Sequence, residues 1–267
     1  MSANMPKSRR HALGQHFLVN EGVLRKIVAA IDPRPGEVIV EIGAGKGVLT
    51  SALAAKGAQV IALEKDERLI PELRKTLPEG VELVHGDVLR ADLHEIARKA
   101  GVPSIRLVGN IPYSISSALL FRVLDDRAVI ADGVFLLQKE VAERVTAGPG
   151  TKSYAPLGIL LQNEYEARIA FTVAPGSFSP PPKVQSALLV LRRRPAPLHA
   201  GAAEESYRAF LRAAFAERRK MLWKNLSRRA APDALEAAYE TLGIPRSARA
   251  EELAPDMLFD LFESLRA

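Results

Sequence analysis

Cysteine is absent from this chain. Its absence excludes disulfides, thiolate zinc sites and a cysteine nucleophile. Histidine is scarce, and His11, His16, His85, His94 and His199 show no ligand spacing, so no metal site is expected. No apolar run approaches the ~20 residues of a membrane span. The basic stretch 1–11 has no apolar centre of the kind a secretory signal needs. A cytoplasmic location with no membrane partner is therefore expected. Nothing in the pattern calls for an obligate dimer, and a monomer is expected.

Acidic residues are also outnumbered, 31 against 37 Lys and Arg, for a net charge of +6. That balance suits a polyanion partner, although ordinary solubility charge accounts for it as well. Clustering says more than the total. Lys7, Arg9 and Arg10 open the chain, and Arg192, Arg193 and Arg194 end a strand-like segment. Arg218, Arg219, Lys220, Lys224, Arg228 and Arg229 crowd one late stretch. The 267 residues, 48% of them hydrophobic, suffice for a substantial core in one large domain or two smaller ones.

Strand-like and helix-like patterns alternate from about residue 22 to 140. Apolar runs at 38–42, 59–63, 81–84, 105–108 and 134–137 read as strands. Between them, 48–56, 67–77, 93–100 and 116–124 read as helices, several closed by Gly or Pro. Repeated βα units predict a parallel sheet covered by helices on both faces. Segments 165–173 and 185–191 read as two further strands joined by a proline-rich loop, able to form an antiparallel pair closing the sheet. Residues 195–203 read as a linker. Beyond it, 204–215, 218–229, 232–242 and 255–265 read as helices, a small all-helical domain over 204–267.

The chemistry concentrates where strands end. Asn110-Ile111-Pro112-Tyr113 follows a strand closing on Gly109, the place where open α/β sheets hold ligands. An amide oxygen and a peptide carbonyl can accept from an amino group there, and the tyrosine can stack on a planar ring. A plain strand-to-loop exit fits the same four residues. Glu41-Ile42-Gly43-Ala44-Gly45-Lys46-Gly47 follows the first strand with G-x-G-x-G spacing. The dinucleotide fingerprint is G-x-G-x-x-G, so a nicotinamide site is disfavoured. Glu64 ends the second strand, where an acid can accept both hydroxyls of a ribose; a surface acid is the alternative. Asp87 ends the third and can accept from an adenine amino group, or simply cap the next helix. Together these positions describe a pocket for an adenosine-bearing cofactor beside a second planar group.

With Gly14-Gln15-His16-Phe17-Leu18, these motifs resemble the S-adenosylmethionine-dependent rRNA adenine dimethyltransferases of the KsgA/RsmA family. The likeness extends through Leu137-Gln138-Lys139-Glu140-Val141-Ala142 and Phe178-Ser179-Pro180-Pro181-Pro182-Lys183-Val184-Gln185-Ser186-Ala187. It reaches Phe215-Ala216-Glu217-Arg218-Arg219-Lys220-Met221-Leu222, and so covers nearly the whole chain in order. The resemblance implies a Rossmann-like class I methyltransferase sheet over 1–194, with 1–20 as a cofactor- and RNA-contacting segment, followed by a helical RNA-binding domain. It implies S-adenosylmethionine as cofactor, with His16 and Leu18 lining its site, Gly43 at the methionine part, Glu64 at the ribose and Asp87 at the adenine. Gln15, Gly45, Lys65 and Val88 flank those positions and are counted with them. Asn110 would sit between cofactor and target base. Ala44, Ala118 and Tyr154-Ala155-Pro156 depart from the usual family pattern.

The same resemblance implies dimethylation of two adjacent adenines near the 3′ end of 16S rRNA within the immature small subunit. Asn110 and the Pro112 carbonyl would accept the two N–H groups of the target amine, and no strong base is needed. Tyr113 and Phe178 would sandwich the extruded base, with an anchor for the proline loop as the lesser alternative for Phe178. Arg218, Arg219, Lys220 and Lys224 would contact RNA phosphates, or form a solvated helix face. Phe215, Leu222 and Leu226 are expected in the small core, and Trp223 fits either core or surface. Two other functions share these motifs: an rRNA-binding assembly factor with incidental methylation, and a 23S rRNA adenine methyltransferase.

Overall fold

A computed structural model describes residues 16–202 and 204–266. Nine strands are numbered here in chain order: β1 Phe17–Leu18, β2 Val38–Ile42, β3 Gln59–Glu64, β4 Glu82–His85, β5 Ile105–Asn110, β6 Ile130–Gln138, β7 Tyr165–Val173, β8 Phe178–Ser179 and β9 Ser186–Arg193. Seven of them form one sheet in the order β4-β3-β2-β5-β6-β9-β7. The pairs β4/β3, β3/β2, β2/β5 and β5/β6 are parallel, and β9 runs antiparallel to β6. This is the expected class I methyltransferase sheet.

Burial explains the strand sequences. Every residue of β2 is buried, as is β3 after Gln59, as a sheet covered on both faces requires. Helices Glu21–Ile31, Val48–Ala54, Ile70–Thr76, Leu93–Lys99 and Ser116–Asp125 supply the cover. A core of Ile27, Ile31, Ile39, Leu53, Val60, Val108, Val134 and Leu188 runs through the sheet. At the N-terminal ends of the strands Arg106, 13% exposed, ion-pairs with Asp132 and Glu37. Its remaining donors reach the carbonyl of Ile31.

The chain goes β2, β3, β4 to one side, then returns to lay β5 against the other side of β2. That reversal makes the crevice between β2 and β5 a topological switch point. Gly109 is required there: a β-carbon on it would lie 2.5 Å from the carbonyl oxygen of Ile42.

The chain divides into two compact units. Ala167–Arg193 join the portion up to Ala142, and Glu143–Glu166 join Arg194–Ala267. The expected domain boundaries differ from this division. The helix Pro156–Glu164, not anticipated from the sequence, packs with the late helices because Tyr154, 1% exposed, sets its ring 5.8 Å from Phe215 and donates to the Leu253 carbonyl. Ala155 and Pro156 stand at the start of that helix, where proline's fixed φ and missing N–H are no handicap.

The expected linker is also pinned within the second unit. Asn163 accepts from the backbone N–H of His199 at 2.8 Å, and His199 stacks on Phe259 at 4.7 Å and pairs with Asp256. Helices Glu205–Ala214, Pro232–Leu242 and Pro255–Arg266 form as expected. The expected helix over 218–229 does not: only Leu222–Leu226 is helical. Lys220 N–H closes a turn on Glu217 and Met221 leaves the helical region, so 215–219 are turn and 220 a bend. Phe215, Leu222 and Leu226 are buried, as expected. Trp223 is half-buried, its ring 5.0 Å from Tyr239 and covered by Arg246. Among the described residues no helix is long and apolar enough to cross a membrane.

Candidate active site

At the C-terminal edge of the sheet four neighbouring strand ends carry Asp87, Glu64, Gly43 and Asn110, in that spatial order. Backbone bonds past the strand ends hold the row together: Gly86 N–H donates to Glu64, Gly43 to Leu63, and Ile111 to Leu136. Three strand spacings of about 4.8 Å each separate β4 from β5 along this edge. The edge borders a cleft of about 170 Å³. His16, Gly43, Gly45, Glu64, Lys65, Asp87, Val88, Asn110, Pro112 and Tyr113 all line it, so most of the expected site residues meet in one place.

Glu64 is 3% exposed, and its two carboxylate oxygens accept separate backbone N–H groups, Gly45 at 2.9 Å and Asp66 at 2.8 Å. A carboxylate has about four lone-pair sites, so two remain for a diol. The surface-acid alternative for Glu64 is thereby overturned. Gly45 holds a left-handed φ of 61° and lies under the Phe17 ring, which a β-carbon would approach to 3.2 Å. Both the left-handed backbone and the tight approach to Phe17 favour glycine at this position.

Asp87 accepts from Lys65 Nζ at 2.7 Å and from the Leu89 N–H at 3.0 Å. The lysine ammonium holds its carboxyl below the usual carboxylate range, with burial opposing. It is an ionised acceptor that turns the chain at Leu89; the helix-cap alternative fails, since no helix starts there and Asp92 caps the next one, Leu93–Lys99. Glu41, buried in β2, behaves oppositely. Burial pushes its carboxyl up to about 8, against the hydrogen bond from Thr50, with the charge of Glu64 adding to the rise.

Asn110 donates its side-chain N–H to the His16 carbonyl at 2.7 Å. That bond leaves Oδ1 as the acceptor of the amide, without a hydrogen-bond partner among the described residues. The His16 ring bonds to the Pro180 carbonyl at 2.7 Å and lies 5.5 Å from the Tyr113 ring. The Pro112 carbonyl already accepts from Ile115 N–H at 3.1 Å and, more weakly, from Ser116 at 3.4 Å.

Two expected positions are placed elsewhere. Phe178 is 4% exposed, sits in β8 opposite Leu18 and packs in the sheet core, so it presents no face to the cleft. The anchor reading holds in this conformation, because pairing of β1 with β8 turns the ring inward. Leu18 borders an adjoining pocket with Phe17, Glu41, Gly43 and Asn110. Gln15 lies outside the described residues.

In the second unit the basic stretch is partly neutralised. Arg218 pairs with Glu251 at 2.6 Å, and both Lys220 and Arg228 pair with Glu217. Arg219 and Lys224 are exposed and carry no ion pair among the described residues.

Sequence reasoning missed Phe17, Asp66 and Ser114 in the cleft wall. Phe17 stood inside a quoted motif beside His16, and Asp66 directly follows Lys65. Ser114 followed the tetrapeptide directly.

Fold and cleft define a class I methyltransferase. The chain belongs to the ribosomal RNA adenine dimethylase family, whose model matches residues 7–267. It is 39% identical over 263 residues to the ribosomal RNA small subunit methyltransferase A of Geobacter metallireducens, covering 97% of this chain and 96% of that one. The Xanthomonas campestris protein of the same name is 42% identical, with 95% of each chain covered. Among solved structures, the 23S rRNA methyltransferase ErmE matches with a TM-score of 0.71 and 30% identity over 94% of this chain and all of its own. A Plasmodium falciparum dimethyladenosine transferase matches with a TM-score of 0.73 and 27% identity, covering 92% and 96%. The cofactor is S-adenosylmethionine, and the donor set fits it: a buried diol acceptor, an ionised acceptor beyond it, and an open glycine backbone beside an amide oxygen.

Proposed function

We propose that this chain dimethylates two adjacent adenines near the 3′ end of small-subunit rRNA, within the immature subunit and in the cytoplasm, acting as a monomer in subunit biogenesis. The observation that carries the reading is the orientation of Asn110: its N–H is spent on the His16 carbonyl, so Oδ1 is the acceptor offered to an amine.

Bound S-adenosylmethionine supplies an electrophilic methyl group. Glu64 and Gly45 would hold its ribose end, Asp87, Lys65 and Val88 its adenine, and Gly43 and His16 the methionine side with Leu18 behind them; Gln15 precedes His16 in the sequence and would join them. The protein's main task is to bring the attacking nitrogen into line. An adenine amino group is a poor nucleophile because its lone pair is shared with the ring. Asn110 Oδ1 accepts one N–H and the Pro112 carbonyl the other, favouring a pyramidal nitrogen. The 3.4 Å contact from Ser116 is the one that yields at Pro112. The surplus proton leaves afterwards to water.

Extruding the base costs roughly a few kcal/mol, and stacking on Tyr113 returns about 1–3. Phe178 joins only if β8 turns it outward. Arg219 and Lys224 bind RNA phosphates as they stand; Arg218 and Lys220 do so by giving up Glu251 and Glu217.

The likeness to ErmE favours a second reading, methylation of large-subunit rRNA. The identities of 39% and 42% to small-subunit enzymes weigh against it. Incubation of immature small subunits with labelled cofactor, followed by mass spectrometry of the rRNA, decides. Dimethyladenosine at two neighbouring adenines is expected, and unmodified small-subunit RNA would sink the proposal.

A further inference from the structure

We infer that Ser186 is a positioning residue for the reaction, acting through Tyr113. This inference rests on the proposed function and goes beyond it, since Ser186 lines neither the cleft nor the adjoining pocket. Its hydroxyl lies 2.8 Å from the Tyr113 hydroxyl.

Tyr113 opens the short turn Tyr113–Ile115 after Pro112 and is only half-buried. The second side-chain torsion of a tyrosine is broad, so nothing in the turn alone sets the plane of the ring. Two contacts do. On one side the His16 ring leans on it at 5.5 Å and 39°, itself held by the Pro180 carbonyl. At the far end Ser186 holds the hydroxyl. Ser186 is 1% exposed, begins β9 and faces Gln138 in the β6/β9 ladder, while Lys139 N–H bonds the preceding Gln185 carbonyl. The anchor is therefore part of the sheet, whereas the ring it holds belongs to a single short turn outside it. A base stacked on Tyr113 inherits that plane, and the plane decides whether its amino group meets Asn110 Oδ1.

The test compares Ser186→Ala, Ser186→Thr, Tyr113→Phe and the Ser186→Ala/Tyr113→Phe double variant. Methylation of immature small subunits and calorimetric binding of S-adenosylmethionine are measured for each. Ser186→Ala and Tyr113→Phe should each lower kcat roughly 3- to 10-fold, the size of one hydrogen bond, with cofactor Kd unchanged. Ser186→Thr keeps a hydroxyl and should recover most of the rate. The double variant should be no slower than either single one, because both remove the same bond. Wild-type activity with an unaffected Ser186→Ala enzyme, or with losses that multiply in the double variant, overturns the inference alone. A wild-type protein that leaves the adenines unmodified overturns the proposed function as well. Tyr113→Phe probes the same bond from the exposed side should Ser186→Ala fail to fold.

Discussion

The cleft of the first unit and the basic stretch of the second are built on different terms. In the cleft, the polar groups that matter are each held by backbone, Glu64 by two N–H groups, Asn110 by the His16 carbonyl and Asp87 by the Leu89 N–H, with Lys65 adding a side-chain bond to Asp87 alone. Their positions follow from strand ends locked into a ladder. In the basic stretch, Arg218, Lys220 and Arg228 are held by surface acids, over a turn instead of a helix. Exposed ion pairs are worth little and exchange readily for phosphates. The cleft is preorganised for one small ligand, while the stretch is a reserve of charge.

If preorganisation is what separates them, single changes in the cleft should be severe and single changes in the stretch mild. Asn110→Ala should have the largest effect, a fall in kcat of about 100-fold or more with subunit binding intact, by analogy with removal of one preorganised polar group. A methylation time course checks it, and a loss under 10-fold would remove Asn110 from the chemistry. Glu64→Ala should weaken cofactor binding by about 10- to 100-fold, because two backbone N–H groups lose their acceptor along with the ribose; calorimetry reads it.

The stretch is sharpened by salt. Replacing both Arg219 and Lys224 with Ala should reduce the slope of log affinity against log salt by about 1.4 to 1.8, the loss of two phosphate contacts. Arg218→Ala should change that slope less than Arg219→Ala, since Arg218 must first leave Glu251. Equal slopes for the two would show that the ion pair does not survive in solution.

The smallest effect is on stability. Glu41 binds its proton more tightly folded than unfolded, so wild-type stability should fall as pH rises from about 4.5 toward 8, where the folded carboxyl titrates. Glu41→Gln should flatten that decline, gaining relative to wild type at pH 8 over pH 5. Urea midpoints at the two pH values check the sign. Identical pH dependence would mean the buried carboxyl stays ionised.

The contrast also marks how far the sequence could be read. Strand ends are punctuated by Gly, Pro and acids, so Gly43, Glu64, Asp87 and Asn110 stood out before any fold was known. The charge of 218–229 was equally visible. Its helix was not formed, since periodic charge says nothing of the turn that Glu217 and Met221 impose. The helix Pro156–Glu164 was missed because it is buried almost throughout and shows no polar face.

The sequence by itself determined the alternating βα order, the family and the row of functional residues, because each depends on local periodicity and on residues confined to strand ends. Only the tertiary structure decided the rest. Pairing of β1 with β8 turned Phe178 into the core and brought His16 to Asn110 and Tyr113. The β6/β9 ladder carried Ser186 to the Tyr113 hydroxyl. Contacts between residues 73 to 164 positions apart leave no mark in a local pattern, since they exist only once distant strands have found their register.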